Sequence, residues 1–202
     1  MNAVEKPLST IFPKLSEKSL GILDENIVVI KFEKKKLLID EGTIFPYLGW
    51  IEEGAIRCYT INDDGKESCH TLLLKNDYFC DFSSFFNQTS TQYYFEVLEG
   101  TVIHTITHSK LERLKMVIPE LSDFNRHLLL YLNQVFERRL SILLIDNAKD
   151  RYLKLLEKFS DVMLHFPHYV IASYLGITPE TLSRIRKKIF LENKSKSKQL
   201  RA

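Results

Sequence analysis

The segment 168-HYVIASYLGITPETLSRIRKKIF-190 contains two amphipathic helical patterns joined by a short turn. In the first pattern, apolar residues recur at helical spacing up to Leu175. Gly176 follows, and glycine leaves a helix through a left-handed conformation without strain from a Cβ atom. Thr178 is a good N-cap, and Pro179 suits the first position of a second helix. The segment therefore predicts a helix-turn-helix whose second helix starts at about Thr178.

The second helix has one apolar face and one polar face. Leu182, Ile185 and Ile189 recur at helical spacing and are expected to face the first helix. The polar face suits a DNA major groove, because Glu can accept from cytosine, Arg can make two bonds to guanine, and Ser, Thr and Lys can hold phosphates. The candidate DNA-binding residues are Thr178, Pro179, Glu180, Thr181, Ser183, Arg184, Arg186, Lys187 and Lys188. An ordinary helical hairpin, with no role in DNA binding, is the alternative interpretation of this pattern.

Basic charge is concentrated in the same part of the chain. Residues 178–202 contain eight basic and two acidic residues, whereas residues 1–177 contain 20 basic and 24 acidic ones. Because neutralising phosphates releases counterions, this asymmetry favours a polyanionic partner near the C-terminus. For residues 194–202 alone, a solvated tail is the alternative.

Several other classes of protein are disfavoured. The longest apolar runs are far shorter than the roughly 20 residues that a membrane-spanning helix needs, and the first 15 residues lack the features of a secretory signal. We therefore expect a cytoplasmic protein with no membrane partner. Cys58, Cys69 and Cys80 show no CxxC spacing, so neither a disulfide framework nor a metal site is predicted. An enzyme is the least expected class, because no catalytic triad, metal-ligand set or phosphate loop is recognisable.

Residues 27–107 have the pattern of an antiparallel β-structure. Short runs rich in Ile, Val, Phe, Tyr and Thr alternate with turn signals about every ten residues, which is typical of a sandwich or barrel. Asp64-Gly65 is the clearest hairpin turn, and Asn76 is expected to meet a similar conformational demand. Before this region, residues 8–24 predict short helices with Ser16 as a cap.

A long helix is predicted from Pro119 to Asn147, after a short helix that opens with a capping box at Ser109. It has two apolar stripes, so one is expected against the β-domain and the other against a partner helix. Burial of both stripes within one chain is the alternative. The seam assigned to dimerisation is Leu121, Phe124, Leu128, Tyr131, Val135 and Ile142, and the second stripe is Leu129, Leu132, Phe136, Leu140 and Leu143.

This order of parts resembles the Crp/Fnr family of bacterial transcription regulators. The similarity runs from about residue 36 to residue 188. The segments that carry it are LLIDEG (37–42), WIEEGAIRCY (50–59), DDGKE (63–67), NDYFCDFSSFF (76–86) and ITPETLSRIRKK (177–188). The resemblance implies an α+β fold with three parts. These are an antiparallel, jelly-roll-like β-roll with N-terminal helices (1–118), a dimerisation helix (119–147) and a winged helix-turn-helix domain (148–202).

The resemblance also implies partners. In the family a Glu-x-x-x-Arg pair reads bases, and here it falls on Glu180 and Arg184. A homodimer is expected to bind a roughly palindromic site in double-stranded DNA, with half-sites on the order of 34 Å apart. RNA polymerase is a further partner that the resemblance implies. The chain leaves little room for a wing after Lys188, so the wing is expected to be short.

The chain departs from the family where the effector binds. Members that bind cyclic nucleotides have Gly-Glu followed by an arginine that pairs with the phosphate, whereas this chain has Cys80-Asp81. It also has no arginine between Arg57 and Arg113. A buried phosphate needs a charge partner, so these differences argue against cyclic nucleotide binding, and no cofactor is assigned. A different small-molecule effector stays open, with a pocket formed by Asp81, Phe82, Ser83, Ser84, Gln92 and Tyr94.

The predicted function is therefore that of a sequence-specific, dimeric transcription regulator that does not bind cAMP in the usual way. The alternative is a sensor whose β-roll binds a small molecule or a protein, and whose basic segment has only non-specific affinity for polyanions. Affinities for specific and random DNA distinguish the two hypotheses, because only the first predicts a difference between them.

Overall fold

The structure, a computed structural model, describes residues 15–121 and 123–199. Its strands are β1 (Val28–Phe32), β2 (Lys36–Ile39), β3 (Tyr47–Glu53), β4 (Ile56–Ile61), β5 (Glu67–Leu73), β6 (Tyr78–Phe79), β7 (Tyr94–Val97) and β8 (Thr101–Thr107). They form two four-stranded antiparallel sheets with the strand orders β1-β8-β3-β6 and β2-β7-β4-β5. The predicted α+β fold with an antiparallel β-roll is confirmed.

The hairpin between β4 and β5 is the one that the sequence predicts. Its strands pair antiparallel from Ile61 opposite Glu67 to Ile56 opposite Leu73. Gly65 lies in the turn with φ of +76°, a conformation that residues with a Cβ atom rarely adopt. Asn76 also meets its expected demand, with φ of +71°.

Aromatic rings join the two sheets of the β-roll. Phe79 belongs to the first sheet and Phe95 to the second, and the ring of Phe45 contacts both, with centroid distances of 6.4 Å and 4.8 Å. Phe85 is also fully buried in this core. Because side chains alternate between the two faces of a strand, residues next to these phenylalanines, such as Tyr94, point away from the core.

Three helices belong to the β-roll: α1 (Glu17–Asn26), α2 (Phe82–Asn87) and α3 (His108–Val117). Ser16 caps α1 as predicted, while residues 8–14 of the predicted N-terminal helices lie outside the described part of the chain. The capping box predicted at Ser109 is wrong. The Thr107 side chain accepts a hydrogen bond from Lys110 N instead, so α3 begins at His108.

The long helix α4 (Phe124–Ile145) begins later than predicted, because Pro119–Leu121 forms a separate 3₁₀ turn. Its first half packs on the β-roll. Leu128 is part of the β-roll core, and the ring of Tyr131 lies 6.2 Å from that of Tyr78.

The structure corrects the residues assigned to dimerisation. Leu121 and Leu128 are each only 1% exposed within the β-roll core, so they are not available to a partner helix. Of the other residues assigned to this seam, Tyr131 and Ile142 are half-buried, Val135 is exposed, and the side chain of Phe124 lies outside the described part of the structure. Most of the second stripe is exposed instead: Leu129, Phe136, Leu140 and Leu143. Leu132, in the same stripe, is half-buried against the β-roll core.

The last part of the chain is helical, with α5 (Ala148–Lys158), α6 (Val162–His165), α7 (His168–Leu175) and α8 (Pro179–Gln199). The expected wing is wrong for the described residues, which contain no strand after Thr107. Instead, α8 continues through that region as one helix of 21 residues. The sequence permits this because it has neither Gly nor Pro between Glu180 and Gln199.

The division into residues 1–118, 119–147 and 148–202 stays a prediction. The first and the last of these parts are packed together, because one buried cluster contains residues from both. In the described ranges, no helix combines the length and the apolar character that crossing a bilayer requires.

Candidate nucleic-acid interface

The turn between α7 and α8 has the geometry that the sequence predicts. Gly176 ends α7 with φ of +67° and ψ of +36°, and its N–H bonds back to carbonyl groups of α7. Ile177 N donates to Ala172 O at 3.0 Å, which closes the turn. The Thr178 hydroxyl accepts a hydrogen bond from Thr181 N at 3.2 Å and so caps α8.

One face of α8 is buried and the other is exposed. Leu182 is fully buried, and Ile185 and Ile189 pack against the same cluster, as predicted. The exposed face includes eight of the nine predicted DNA-binding residues, namely Thr178, Pro179, Glu180, Ser183, Arg184, Arg186, Lys187 and Lys188. The ninth, Thr181, is half-buried. Folding therefore brings these residues together on one helix, and their contacts with DNA stay a prediction.

Glu180 and Arg184 lie one helical turn apart on this exposed face. Hydrogen bonds from its own backbone N–H and from the Thr178 side chain hold the pKa of the Glu180 carboxyl below its ordinary value. The charge of Arg184 acts in the same direction. Arg184 Nη2 donates to Thr181 Oγ1 at 3.1 Å. The first two turns of α8 thus present an ionised acceptor beside a guanidinium donor, which are the groups that recognise cytosine and guanine edges.

The second half of α8 is attached to α5. Lys149 Nζ lies 2.7 Å from Glu192 Oε2, and this ion pair joins the two helices. Lys194 is exposed near the end of α8. The side chains of Lys196 and Lys198, and the whole of Arg201, lie outside the described part of the structure.

The cyclic nucleotide that some members of the resembled family bind does not fit the residues around Asp81. The Asp81 carboxylate accepts hydrogen bonds from Ser84 N at 3.2 Å and from Thr91 Oγ1 at 2.6 Å. A phosphate at this end of α2 would meet a carboxylate of the same charge sign. Arg57 cannot neutralise it, because its guanidinium is bound by Glu96 and Glu67, and Arg57 lies on the strand face opposite to that of the buried Cys58.

The residues predicted to line an effector pocket do not all lie on one side of the sheet. Ser84 is buried, and its hydroxyl accepts from Phe45 N at 2.8 Å. Tyr94 lies on the outer face of its sheet, where its ring stacks on Tyr59 and its hydroxyl donates to Glu41. The remaining predicted residues are Asp81 and Phe82, which are half-buried, and Ser83 and Gln92, which are exposed. The sequence alone does not show that Tyr94 lies on a different face from the other predicted residues, because the face of a strand residue depends on strand register.

The three cysteines are free thiols. Burial raises the pKa of all three, and for Cys69 it raises the pKa to about 12. Since the thiolate is the nucleophile and the metal ligand, this burial disfavours reactive chemistry at these residues. Among the described residues, no group of His, Cys, Asp or Glu has an arrangement that would hold a metal ion.

Residues 29–116 match the family described as the cyclic nucleotide-binding domain. The domain runs from β1 into α3 and therefore contains both sheets and the segment around Asp81. Its presence is compatible with the poor fit of a cyclic nucleotide, because the same fold can hold a different site or none.

The chain is also similar to regulators over most of its length. The Anaerobic regulatory protein of Pasteurella multocida (strain Pm70) is 27% identical over 186 residues, which cover 85% of this chain and 66% of that protein. This chain thus matches slightly under two thirds of the length of that relative.

Two solved structures show the same fold. FixK2 from Bradyrhizobium japonicum has a TM-score of 0.69 with 19% identity, covering 83% of this chain and 86% of its own. A CooA mutant from Carboxydothermus hydrogenoformans has a TM-score of 0.66 with 20% identity, covering 95% and 85%. The resemblance to the Crp/Fnr family is confirmed.

Sequence reasoning missed the side chains that hold the end of α7. Arg139 of α4 donates to Tyr174 O at 2.5 Å, and its guanidinium lies 3.8 Å from the centre of the Tyr174 ring. Arg151 of α5 donates to Leu175 O at 3.0 Å. The signal in the sequence was the pair Arg138-Arg139, two adjacent cations in the second half of the long predicted helix.

Proposed function

We propose that this chain is a sequence-specific DNA-binding transcription regulator that acts as a homodimer in the cytoplasm. The observation that carries the proposal is the exposed pair of Glu180 and Arg184 on a capped helix whose opposite face, including Leu182, is buried. Such a helix can enter a major groove without losing its own packing. The name of the curated relative, a regulatory protein, supports the same function. RNA polymerase stays a predicted partner.

The test starts with selection of the preferred site from random DNA by the full chain. Arg184→Ala should then weaken binding to the selected site by about 1–3 kcal/mol and relax the preference at one base pair of each half-site. Lys187→Ala should weaken binding to all sequences alike and reduce the salt slope by about one phosphate contact. Arg113→Ala is the matched control, because it removes an exposed arginine from α3.

Two outcomes would contradict the proposal. If Arg184→Ala bound the selected site with wild-type affinity and wild-type base preference, the assigned base contact would be wrong. If the wild-type chain bound selected and random DNA equally at every salt concentration, the basic segment would be a general polyanion-binding element. The sensor hypothesis would then be favoured.

The proposed homodimer uses α4. Leu129, Phe136 and Leu143 are exposed and seven residues apart, and Leu140 lies on the same face. An apolar stripe of this kind on an exposed helix favours pairing with the same helix of a second copy. An adjacent side of α4 already packs on the β-roll through Leu128, which leaves the exposed stripe available to a partner.

Oligomeric state measured by light scattering tests this assignment. Phe136→Glu should convert the dimer into a monomer, because a carboxylate would be buried at the centre of the interface. Gln134→Glu adds the same charge to another exposed face of α4 and should leave the dimer intact. A dimeric Phe136→Glu variant, or a monomeric wild type, would refute the assignment.

The proposed regulator does not use cyclic nucleotide in the usual way, since Asp81 would oppose the phosphate. Calorimetric titration of the full chain with cAMP and cGMP should show no saturable binding in the micromolar range. Saturable binding that Asp81→Ala strengthened would confirm that the carboxylate opposes the phosphate, but would contradict the prediction that the wild-type chain does not bind. Saturable binding unaffected by that change would refute the argument.

A further inference from the structure

The DNA-binding half and the cyclic nucleotide-binding domain share a buried apolar cluster. The domain contributes Cys69 and Leu72 from β5, Leu74 directly after that strand, and Ala55 directly before β4. On the other side, α7 contributes Val170, Ile171, Ala172 and Leu175. All of these side chains are buried, and α7 lies directly against β5. The first helix of the helix-turn-helix, α7, therefore packs on the β-roll as well as on the neighbouring helices.

Two contacts fix α7 on the β-roll, one with β5 and one with β4. In the middle of the helix, Ser173 Oγ accepts a hydrogen bond from Cys69 N at 2.9 Å. In the first turn, the ring of Tyr169 lies 5.8 Å from the guanidinium of Arg57. A hydrogen bond is directional, so the Cys69 contact sets the rotation of α7 about its own axis.

Arg57 is a rigid partner for Tyr169. It is only 3% exposed, and its guanidinium is held by Glu96 at 2.7 Å and Glu67 at 2.5 Å. The ring of Tyr59 lies 4.1 Å from the guanidinium. Burial disfavours the charge of Arg57, but the hydrogen bonds to Glu67 and Glu96 outweigh it and raise the Arg57 pKa.

The other end of α7 is attached to α4. Arg139 Nη2 donates to the backbone oxygen of Tyr174, and the guanidinium lies over the same tyrosine ring. Arg139 is on the helix that carries the exposed stripe proposed for dimerisation. The orientation of α7, and of α8 after the tight turn at Gly176, is thus fixed relative to the helix that would pair with a second copy.

We infer that these three contacts, Arg57 to Tyr169, Cys69 to Ser173 and Arg139 to Tyr174, are a positioning device that sets the half-site spacing of the DNA site. We call the three contacts the α7 clamp. None of its residues is among those predicted to touch DNA. The inference rests on the proposed function, because it concerns the distance and angle between two recognition helices in a dimer.

The physical basis is the helical repeat of DNA. A change of one base pair between half-sites moves the second half-site by about 3.4 Å and rotates it by roughly 36°, since a turn has about 10 base pairs. Two helices held rigidly tolerate little of this change. If the α7 clamp is weakened, each helix-turn-helix can reorient to follow the shifted half-site. Glu180 and Arg184 are proposed to set the base preference within a half-site. Because neither residue is changed, this preference should stay the same.

The experiment measures the affinity of the full chain for the selected palindrome and for versions with one to three base pairs inserted or removed between the half-sites. For wild type, we expect the best spacing to be preferred by about tenfold or more over a spacing two base pairs away. The combined variant Tyr169→Ala, Arg139→Gln should reduce this preference to about threefold or less, with an unchanged base preference in each half-site. Ser173→Ala should produce a smaller change in the same direction.

Matched variants separate positioning from loss of folding. Tyr169→Phe keeps the ring over Arg57 and should retain the wild-type spacing profile. Arg138→Gln removes the neighbouring exposed arginine of α4 and should also retain it. If the combined variant does not fold, Ser173→Ala is compared with the exposed Ser141→Ala of α4. Folding is checked for each by the cooperativity of its thermal transition.

The failures of the two proposals are distinguishable. If the wild type selects no palindrome, the proposed function and this inference both fail. If the wild type prefers one spacing and the folded clamp variants keep that preference, the proposed function stands and the positioning inference is overturned. The positioning inference is also overturned if Tyr169→Phe broadens the spacing profile as much as the combined variant Tyr169→Ala, Arg139→Gln.

Discussion

Replacing Gly176 with alanine should destabilise the chain, whereas the same replacement at Gly21 should stabilise it. At both positions an added Cβ atom would meet no heavy atom within 4 Å, so neither effect is a matter of collision. Gly176 has φ of +67° where α7 ends, and alanine enters this left-handed region at a cost of roughly 1–2 kcal/mol. Gly21 lies inside α1, where alanine is favoured over glycine by roughly 0.8–1.0 kcal/mol.

The two variants should therefore differ from each other by about 2–3 kcal/mol in the free energy of unfolding. In a protein of this size, 1 kcal/mol shifts the melting temperature by about 2–4 °C. Gly176→Ala should melt about 2–8 °C below wild type, and Gly21→Ala about 2–4 °C above it. Gly176→Asn should lie between Gly176→Ala and wild type, because asparagine enters the left-handed region more easily than alanine.

Calorimetry and urea unfolding of the four proteins give these values, provided that the urea slopes are the same. A wild-type urea midpoint for Gly176→Ala would show that the positive φ does not constrain this turn. A loss of stability in Gly21→Ala would also refute the reasoning. It would mean that open space around the added Cβ atom and helical conformation do not determine whether alanine stabilises the chain.

Three further outcomes are expected. Hydrogen bonds from its own backbone, Ser19 and Ser16 lower the pKa of Glu120 from 4.5 to about 2, so its stabilising effect is present above pH 4.5 and is lost as the pH falls toward 2. In Glu120→Gln, the free energy of unfolding should therefore fall less steeply than in wild type as the pH is lowered through this range. Burial opposes protonation of His165, but hydrogen bonds to Glu99 and Asp161 outweigh it and raise its pKa above 6.5. The stabilisation from these contacts of His165 is complete below pH 6.5 and is lost as the pH rises through the raised pKa. The urea midpoint of Glu99→Gln should therefore fall less than that of wild type as the pH is raised through this range. Leu182→Ala should cost about 2–5 kcal/mol of unfolding free energy, whereas Leu164→Ala, at a site that is 83% exposed, should leave the urea midpoint almost unchanged.

The elements that depend on local sequence were predictable. The Gly176-Ile177-Thr178-Pro179 turn follows from backbone preferences and capping, which act over a few residues, and the Asp64-Gly65 hairpin has the same basis. The candidate DNA-binding residues followed as well, because helical periodicity alone separates Arg184 from the buried face.

Features that depend on long-range packing were not predictable. The two stripes of α4 were visible, but which one the β-roll would cover depends on how the chain enters α4 after the 3₁₀ turn that ends at the buried Leu121. The position of Tyr94 depends on strand register, which a shift of one residue reverses. The contact of Ser173 with Cys69 joins residues 104 positions apart, and no local pattern encodes it.

The segment around Asp81 and the β5 surface reach α7 by different routes. Phe85 of α2 packs edge-on against His108 at a centroid distance of 5.5 Å, and α3 then leads to α4, where Arg139 holds Tyr174. The β5 surface contacts α7 directly. Contiguous contacts alone do not transmit a signal, because coupling requires an element with two arrangements. An effector that acts through α2 to release α7 from β5 would therefore have to bind more tightly to the released state. The difference would have to be at least the free energy of the β5–α7 contact. The strength of the β5–α7 interface consequently sets how large an effector's preference between the two states must be.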